Sequence, residues 1–159
     1  MAYYEDLQFN EFFSALEEEL REHLPLGLAK FKWQRPGNNY VRIKYSSKMG
    51  SYYELQFSDH SQYHREFFGE GPHIVLAFYI ETSKEDRSTW LDVVTPYVEY
   101  ICKLLGTCVK CGYWGTRWAC LITNLDNLPI DAEHFSKFMA YFIQATFLPI
   151  TLAFKGMRN

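Results

Sequence analysis

The stretch from Phe135 to Phe154 constrains the fold most, because it carries a single charge, Lys137. Wound as a helix, it is apolar nearly all the way round. Phe135, Phe138, Phe142 and Thr146 fall on one side, Tyr141, Ala145, Leu148 and Leu152 on a second, and Ile143, Phe147, Ile150 and Phe154 on a third. A surface helix over a small core needs one apolar stripe, whereas one that is apolar on every side has to be covered on every side. Four covers would serve: the rest of the domain, a second copy, another protein or lipid. Lipid fits least well. The uncharged run from Phe138 to Phe154 is short for a span, contains Gln144, Thr146, Pro149 and Thr151, and has no strongly basic flank before it. The expectation is a buried or interfacial helix and no membrane span.

A chain of 159 residues fits a single α+β domain over 1–159, with room for one core and not for two. Charged residues at 22% and hydrophobic residues at 48% place it among folded rather than disordered chains. With 13 Phe, 12 Tyr and 4 Trp it is rich in side chains that bring large area to a core or an interface. A net charge of −3 weighs against a chain built as a whole to hold nucleic acid. Cys102, Cys108, Cys111 and Cys120 fall in one short segment, and the start Met1-Ala2-Tyr3-Tyr4-Glu5-Asp6 is acidic with no apolar leader. A reducing, cytoplasmic setting follows as the expectation, with the cysteines as small buried apolar groups.

Periodicity predicts a first helix from Asp6 or Asn10 to about His23, since Phe9, Phe13, Leu16 and Leu20 make one stripe, with Glu11, Glu17, Glu18, Glu19 and Glu22 elsewhere. Pro25 and Gly27 end it. Val41, Ile43 and Tyr45, then Tyr53, Leu55 and Phe57, alternate with polar residues as a hairpin, which sets Glu54 across from Arg42 or Lys44. The run Ile74 to Ile80 is apolar on both faces and predicts a central strand. A second helix spans about Ser88 to Leu105, with Trp90, Leu91, Val94, Val98, Ile101 and Leu105 inward, Gly106 as its stop, and Pro96 expected to kink or split it. Val109, Cys111 and Tyr113, then Trp118, Cys120 and Ile122, read as a second hairpin turning on Gly112 and Gly115. Asp131 is a suitable N-cap for the last helix, preceded by the breaker Pro129, and Pro149 is expected to kink its far end. The order α-βββ-α-ββ-α predicts an antiparallel-rich sheet with helices packed on it.

That order resembles the type III secretion chaperone-like fold and its YbjN-type relatives, most closely through Trp118-Ala119-Cys120-Leu121-Ile122 and Phe135-Ser136-Lys137-Phe138. It is also similar to a small accessory domain that follows nuclease-like domains in some prokaryotic proteins, where a Trp-containing hairpin precedes an aromatic-rich last helix. The resemblance implies a dimeric, non-enzymatic binder of other polypeptides, and it supplies no catalytic residue.

Four constellations invite a chemical reading. Cys108-Val109-Lys110-Cys111 is a lone CxxC with Cys102 and Cys120 around it, whereas a structural zinc needs four converging ligands; buried apolar cysteines are the preferred reading. Asp59-His60-Ser61-Gln62-Tyr63-His64, with Glu66, Glu70 and His73, offers imidazoles and carboxylates, but a usable ligand face requires that loop to be helical; solvated histidines are preferred. Glu54-Leu55-Gln56 with Asp59 is similar to the (D/E)-x-K strand of metal-dependent nucleases but lacks its lysine. Lastly, Lys30, Lys32, Arg35, Arg42, Lys44 and Lys48 occur with no acidic residue from 23 to 53, interleaved with Phe31, Trp33, Tyr40 and Tyr45. Cations alternating with aromatic platforms suit single-stranded nucleic acid or an acidic peptide.

The leading expectation is a protein-binding, homodimeric domain without enzymatic activity, metal or cofactor, with Phe138, Tyr141, Phe142, Phe147 and Leu148 as its dimer or partner surface. The alternative is a nucleic-acid-associated accessory domain using Lys30, Lys32, Trp33, Arg35, Arg42 and Lys44.

Overall fold

The structure is a computed structural model that describes residues 7–45, 50–58, 62–82, 87–114 and 118–157. Helix α1 (Phe9–His23) is followed by strands β1 (Lys32–Gln34), β2 (Tyr40–Lys44) and β3 (Tyr52–Ser58), a short helix α2 (Gln62–Phe68), and strand β4 (His73–Glu81). Helix α3 (Arg87–Leu105), the hairpin β5 (Lys110–Trp114) and β6 (Trp118–Asn124), and helix α4 (Ala132–Met157) complete the chain. The strands form one six-stranded sheet in the order β1-β2-β3-β4-β6-β5, and each neighbouring pair is antiparallel. The α+β class therefore stands, with two elements added to the expected order, β1 and α2.

The sheet face toward α1, α3 and α4 is the main core. Val41, Ile43, Tyr53, Leu55, Phe57, Leu76, Phe78 and Leu121 meet Phe13, Leu16 and Leu20 of α1, Trp90, Val94 and Ile101 of α3, and Phe135, Met139, Phe142 and Ile143 of α4. Each such side chain, taken fully out of water, contributes roughly 1.5–3 kcal/mol. Aromatic contacts fix the lie of α4. Phe135 stacks on Phe57 with centres 6.1 Å apart, Phe142 meets Tyr53 edge-on at 5.9 Å, and Phe147 meets Tyr45 at 4.7 Å. The strand numbers fall as the helix numbers rise, so α4 runs antiparallel to the hairpin strand β3 beneath it. Polar bonds lie inside this layer at Thr146, whose Oγ1 is 2.7 Å from the Tyr53 hydroxyl and 2.6 Å from Phe142 O.

Helix α1 packs on α4 from the β1 side, where the Arg35 guanidinium donates to Asn10 Oδ1 at 2.7 Å. Helix α3 packs on the other flank of α4, over β5 and β6. Neither proline ends its helix: Pro96 lies inside a continuous α3 and Pro149 inside a continuous α4. Helix α3 closes at Gly106, whose amide donates to Cys102 O at 2.9 Å. Asp131 caps α4 as the sequence predicts, its Oδ1 accepting from the His134 amide at 2.7 Å.

On the opposite face, Val75, Ala77, Tyr79, Cys120 and Ile122 form a second, smaller cluster under Phe67 and Phe68 of α2, with Tyr52 and Trp118 at its margin. Phe67 rests over β5 at Gly112, where a Cβ would stand 2.9 Å from Phe67 Cζ, so any larger residue there would have to displace the ring. The run from Ile74 to Ile80 is buried on both faces because helices lie above and below it.

Candidate functional site

Flanked by α1 and α3 and seated on the sheet, α4 is covered on three sides by its own chain. The fourth side carries Tyr141, Leu148 and Leu152, which are 65, 61 and 58% exposed. Beside it, α3 turns out Tyr97, Tyr100 and Leu104, exposed by 41, 62 and 56%. These two stripes border a shallow groove of about 380 Å³ lined by Pro96, Tyr97, Tyr100, Ile101, Ala145 and Pro149. The spacing explains the surface. Residues 141, 145, 148 and 152 recur at four, three and four, and 97, 100 and 104 on α3 at three and four, so each set stays on one side of its helix. Contiguous exposed apolar surface of this kind marks a contact site more often than an isolated exposed leucine does.

The five residues expected at a dimer or partner surface part company here. Tyr141 and Leu148 lie at the exposed surface. Phe138 and Phe147 are half-buried against the main core. Phe142 is not at the surface: it is fully buried, edge-on to Tyr53, and belongs to the core. It shares a side with Phe135 and Thr146, the side that faces the sheet. Sequence reasoning set Leu152 on one side with Tyr141 and Leu148 but did not place it at the interface, and it did not single out Tyr97, Tyr100 or Leu104. The signal was present in the 97–100–104 spacing, but the stronger stripe of Trp90, Val94 and Ile101 masked it.

The basic-aromatic strip is divided by the pleat. Trp33 lies against Phe31 on the core side, and the Arg35 guanidinium carbon stands 4.9 Å from the centre of the Phe13 ring. Lys32, Arg42 and Lys44 occupy the outer face, where the register sets Lys32 opposite Lys44 and Arg42 opposite Glu54. Lys30 is exposed before β1, and Lys48 lies outside the described residues. Among the described residues no ion pair joins this strip to the carboxylates of α1; Glu17 instead pairs with Arg21 in its own helix, at 2.8 Å.

Glu54 accepts from Arg42 Nε at 2.9 Å. Burial raises its carboxyl above the usual range and the Arg42 contact opposes that rise. The carboxylate is thus the buried half of an ion pair, and its nuclease-like companion Asp59 lies outside the described residues. His60 lies outside them too. His64 is buried in the cover of the sheet, where loss of solvent, then the nearby His73, hold its imidazole down at about 4. His73 Nδ1 pairs with Asp126 Oδ2 at 2.8 Å and Nε2 reaches Gly69 O at 3.0 Å. Cys108 is exposed, Cys111 half-buried and Cys120 buried, all as free thiols, and burial pushes the Cys120 thiol up to about 12. Cys102 Sγ accepts from the Val109 amide at 3.1 Å. Among the described residues no group of three or more His, Cys, Asp or Glu side chains is placed to hold a metal ion. Nor is any helix among them long and apolar enough to cross a membrane.

Compared with protein families, curated proteins and solved structures, the chain matches none.

Proposed function

We propose that this chain is a protein-binding domain that pairs with a second copy of itself through the outward side of α3 and α4, and acts by binding rather than by catalysis. The observation that carries the reading is the apolar stripe of Tyr141, Ala145, Leu148 and Leu152 on a helix whose other sides are already covered by its own chain. The steps of four, three and four between those residues are the repeat of a knobs-into-holes helix seam. A partner helix with the same repeat fits such a seam, and α4 of another copy carries it. A two-fold axis then lays the two stripes against each other, Tyr141 of one copy toward the Leu148–Leu152 end of the other, with Tyr97 and Tyr100 as flanking rings. Tyr is favoured at interfaces because its ring buries area while its hydroxyl stays wet. A homodimeric binder of polypeptides is also what the resemblance to the type III secretion chaperone-like fold implies. The reducing cytoplasm, where its thiols remain free, is the setting we assign to it.

Light scattering coupled to size exclusion tests the reading. The wild-type chain is expected at twice its 18.8 kDa mass, and Leu148→Glu at the single mass with its helix and strand content retained by circular dichroism. A wild-type chain that stays monomeric at every concentration overturns the proposal.

A further inference from the structure

The outer face of β2 and β3 has a chemistry independent of the α3–α4 surface. Lys32 and Lys44 stand directly opposite each other there, an arrangement that weakens a strand pair. Among the described residues neither lysine is in an ion pair. Beside them opens a concavity of about 530 Å³ lined by Arg42, Lys44, Tyr52, Glu81 and Trp118, inside the roughly 300–1,000 Å³ range of small-molecule sites. Two rings stand in its largely polar lining: Tyr52 and Trp118 meet at 73° with ring centres 5.2 Å apart. The Arg42 guanidinium carbon and Lys44 Nζ stand 4.8 and 5.8 Å from the centre of the Tyr52 ring. At the rim, Gly50 has φ 56°, a backbone state that side chains other than glycine rarely adopt.

The strand order polarises this concavity. The cations lie on the β2 side, Glu81 and Trp118 on the β4 and β6 side, and Tyr52 between them. We infer that it binds a nucleotide unit, a flat base bearing a phosphate, either free or within a single strand. The base packs on the rings of Trp118 and Tyr52, and the phosphate faces Lys44 and Lys32. Arg42, its charge matched by Glu54 at 2.9 Å, serves as a fixed wall rather than a mobile clamp. An aliphatic anion would leave the two rings unused, and an uncharged aromatic would leave the lysine pair uncompensated, so both features together select the nucleotide.

Calorimetric titration of the full chain with adenosine monophosphate, adenosine, inorganic phosphate and a short oligothymidylate, at rising salt, tests this. The monophosphate is expected to bind more tightly than adenosine or phosphate. Trp118→Ala is expected to weaken it by about five- to 150-fold, the range for one lost stacked base. The double variant Lys32→Gln, Lys44→Gln is expected to weaken it as well and to flatten the salt dependence of strand binding. Binding of the monophosphate assigns the free nucleotide as the source; binding of the oligothymidylate alone assigns the strand. No binding of either overturns the inference, as does phosphate binding as tightly as the nucleotide, or affinity that both variants leave unchanged. The lysine variant alters an exposed and a half-buried side chain outside the core and keeps the test decisive if Trp118→Ala does not fold. Leu148→Glu, which addresses the dimer, is expected to leave nucleotide affinity unchanged, so the two proposals fail separately.

Discussion

Helix α1 turns Glu11, Glu18 and Glu22 to solvent, whereas its neighbour α4, packed on the same sheet face, turns out Tyr141, Leu148 and Leu152. Both helices give their inner stripe to one core: Phe13, Leu16 and Leu20 from α1, Phe135, Phe142 and Ile143 from α4. Folding therefore asks nothing of either outward side. A charged outward side is what a solvated helix carries. An apolar one keeps hydrocarbon in water, a state that association relieves. Part of the apolar excess of α4 over α1 is core material, as Met139, Ala140 and Ile150 show, and the remainder, Tyr141, Leu148 and Leu152, lies on the one side its own chain leaves open.

The largest expected effect tests the inner half of that comparison. Phe142→Ala removes a fully buried ring between α4 and β3 and is expected to lower the unfolding free energy by about 3–5 kcal/mol in a urea titration. If it instead abolished association at undiminished stability, Phe142 would be an interface residue and the division of α4 into inner and outer sides would fall. The outer half is tested next, by sedimentation. Leu148→Glu places a charge in the centre of the stripe and is expected to weaken self-association by about 30-fold or more, the size of a hot-spot loss. Glu18→Leu on α1 is the matching control and is expected to leave the mass unchanged, because a lone apolar residue there faces no seam.

Much of this contrast was legible in the residues. The 9–13–16–20 stripe, the alternation through Val41–Tyr45 and Tyr53–Phe57, the doubly apolar β4 and the Asp131 cap all report short-range rules, and the structure places each accordingly. What stayed hidden depends on neighbours. β1 is three residues long beside Pro36 and Gly37, too short for an alternation to register. Helix α2 is seven residues, held over Gly112 and the sheet by Phe67 and Phe68 rather than by any stripe of its own. Pro96 reads as a break, yet α3 continues through it, because packing against α4 and the sheet outweighs one lost backbone bond. Above all, a helix apolar on every side cannot say which side will face outward; only the placement of α1, α3 and the sheet decides that. The basic strip illustrates the same point, since one stretch of sequence supplies both faces of β1 and β2 and the pleat separates Trp33 from Lys32.

A smaller effect probes how α4 is fixed at its start. Asp131→Ala removes the acceptor of the His134 amide and is expected to cost about 1 kcal/mol, the usual loss of an N-cap, read as a lower urea midpoint at unchanged slope. Asp131→Asn keeps an acceptor and is expected to recover most of it.

The mildest effect concerns pH and the cover of the sheet on the side away from α4. At His73, burial alone would lower the imidazole, but the bonds to Asp126 and to Gly69 O outweigh it and the group stands above 6.5. Its stabilising contribution is present below pH 6.5 and is lost as pH rises through the higher folded value. His64 has the opposite sign. Held at about 4 by burial, it stays neutral in the folded chain while the unfolded chain takes up a proton below 6.5, so stability falls as pH drops from 6.5 toward 4. The two together predict a stability maximum near pH 6.5, seen by urea unfolding across the pH range. His73→Asn is expected to flatten the alkaline limb and His64→Phe the acidic one. Because both histidines belong to the cover on the outer face, neither substitution is expected to move the association constant of the α3–α4 surface, and a shift there would mean that the two faces of the sheet are coupled.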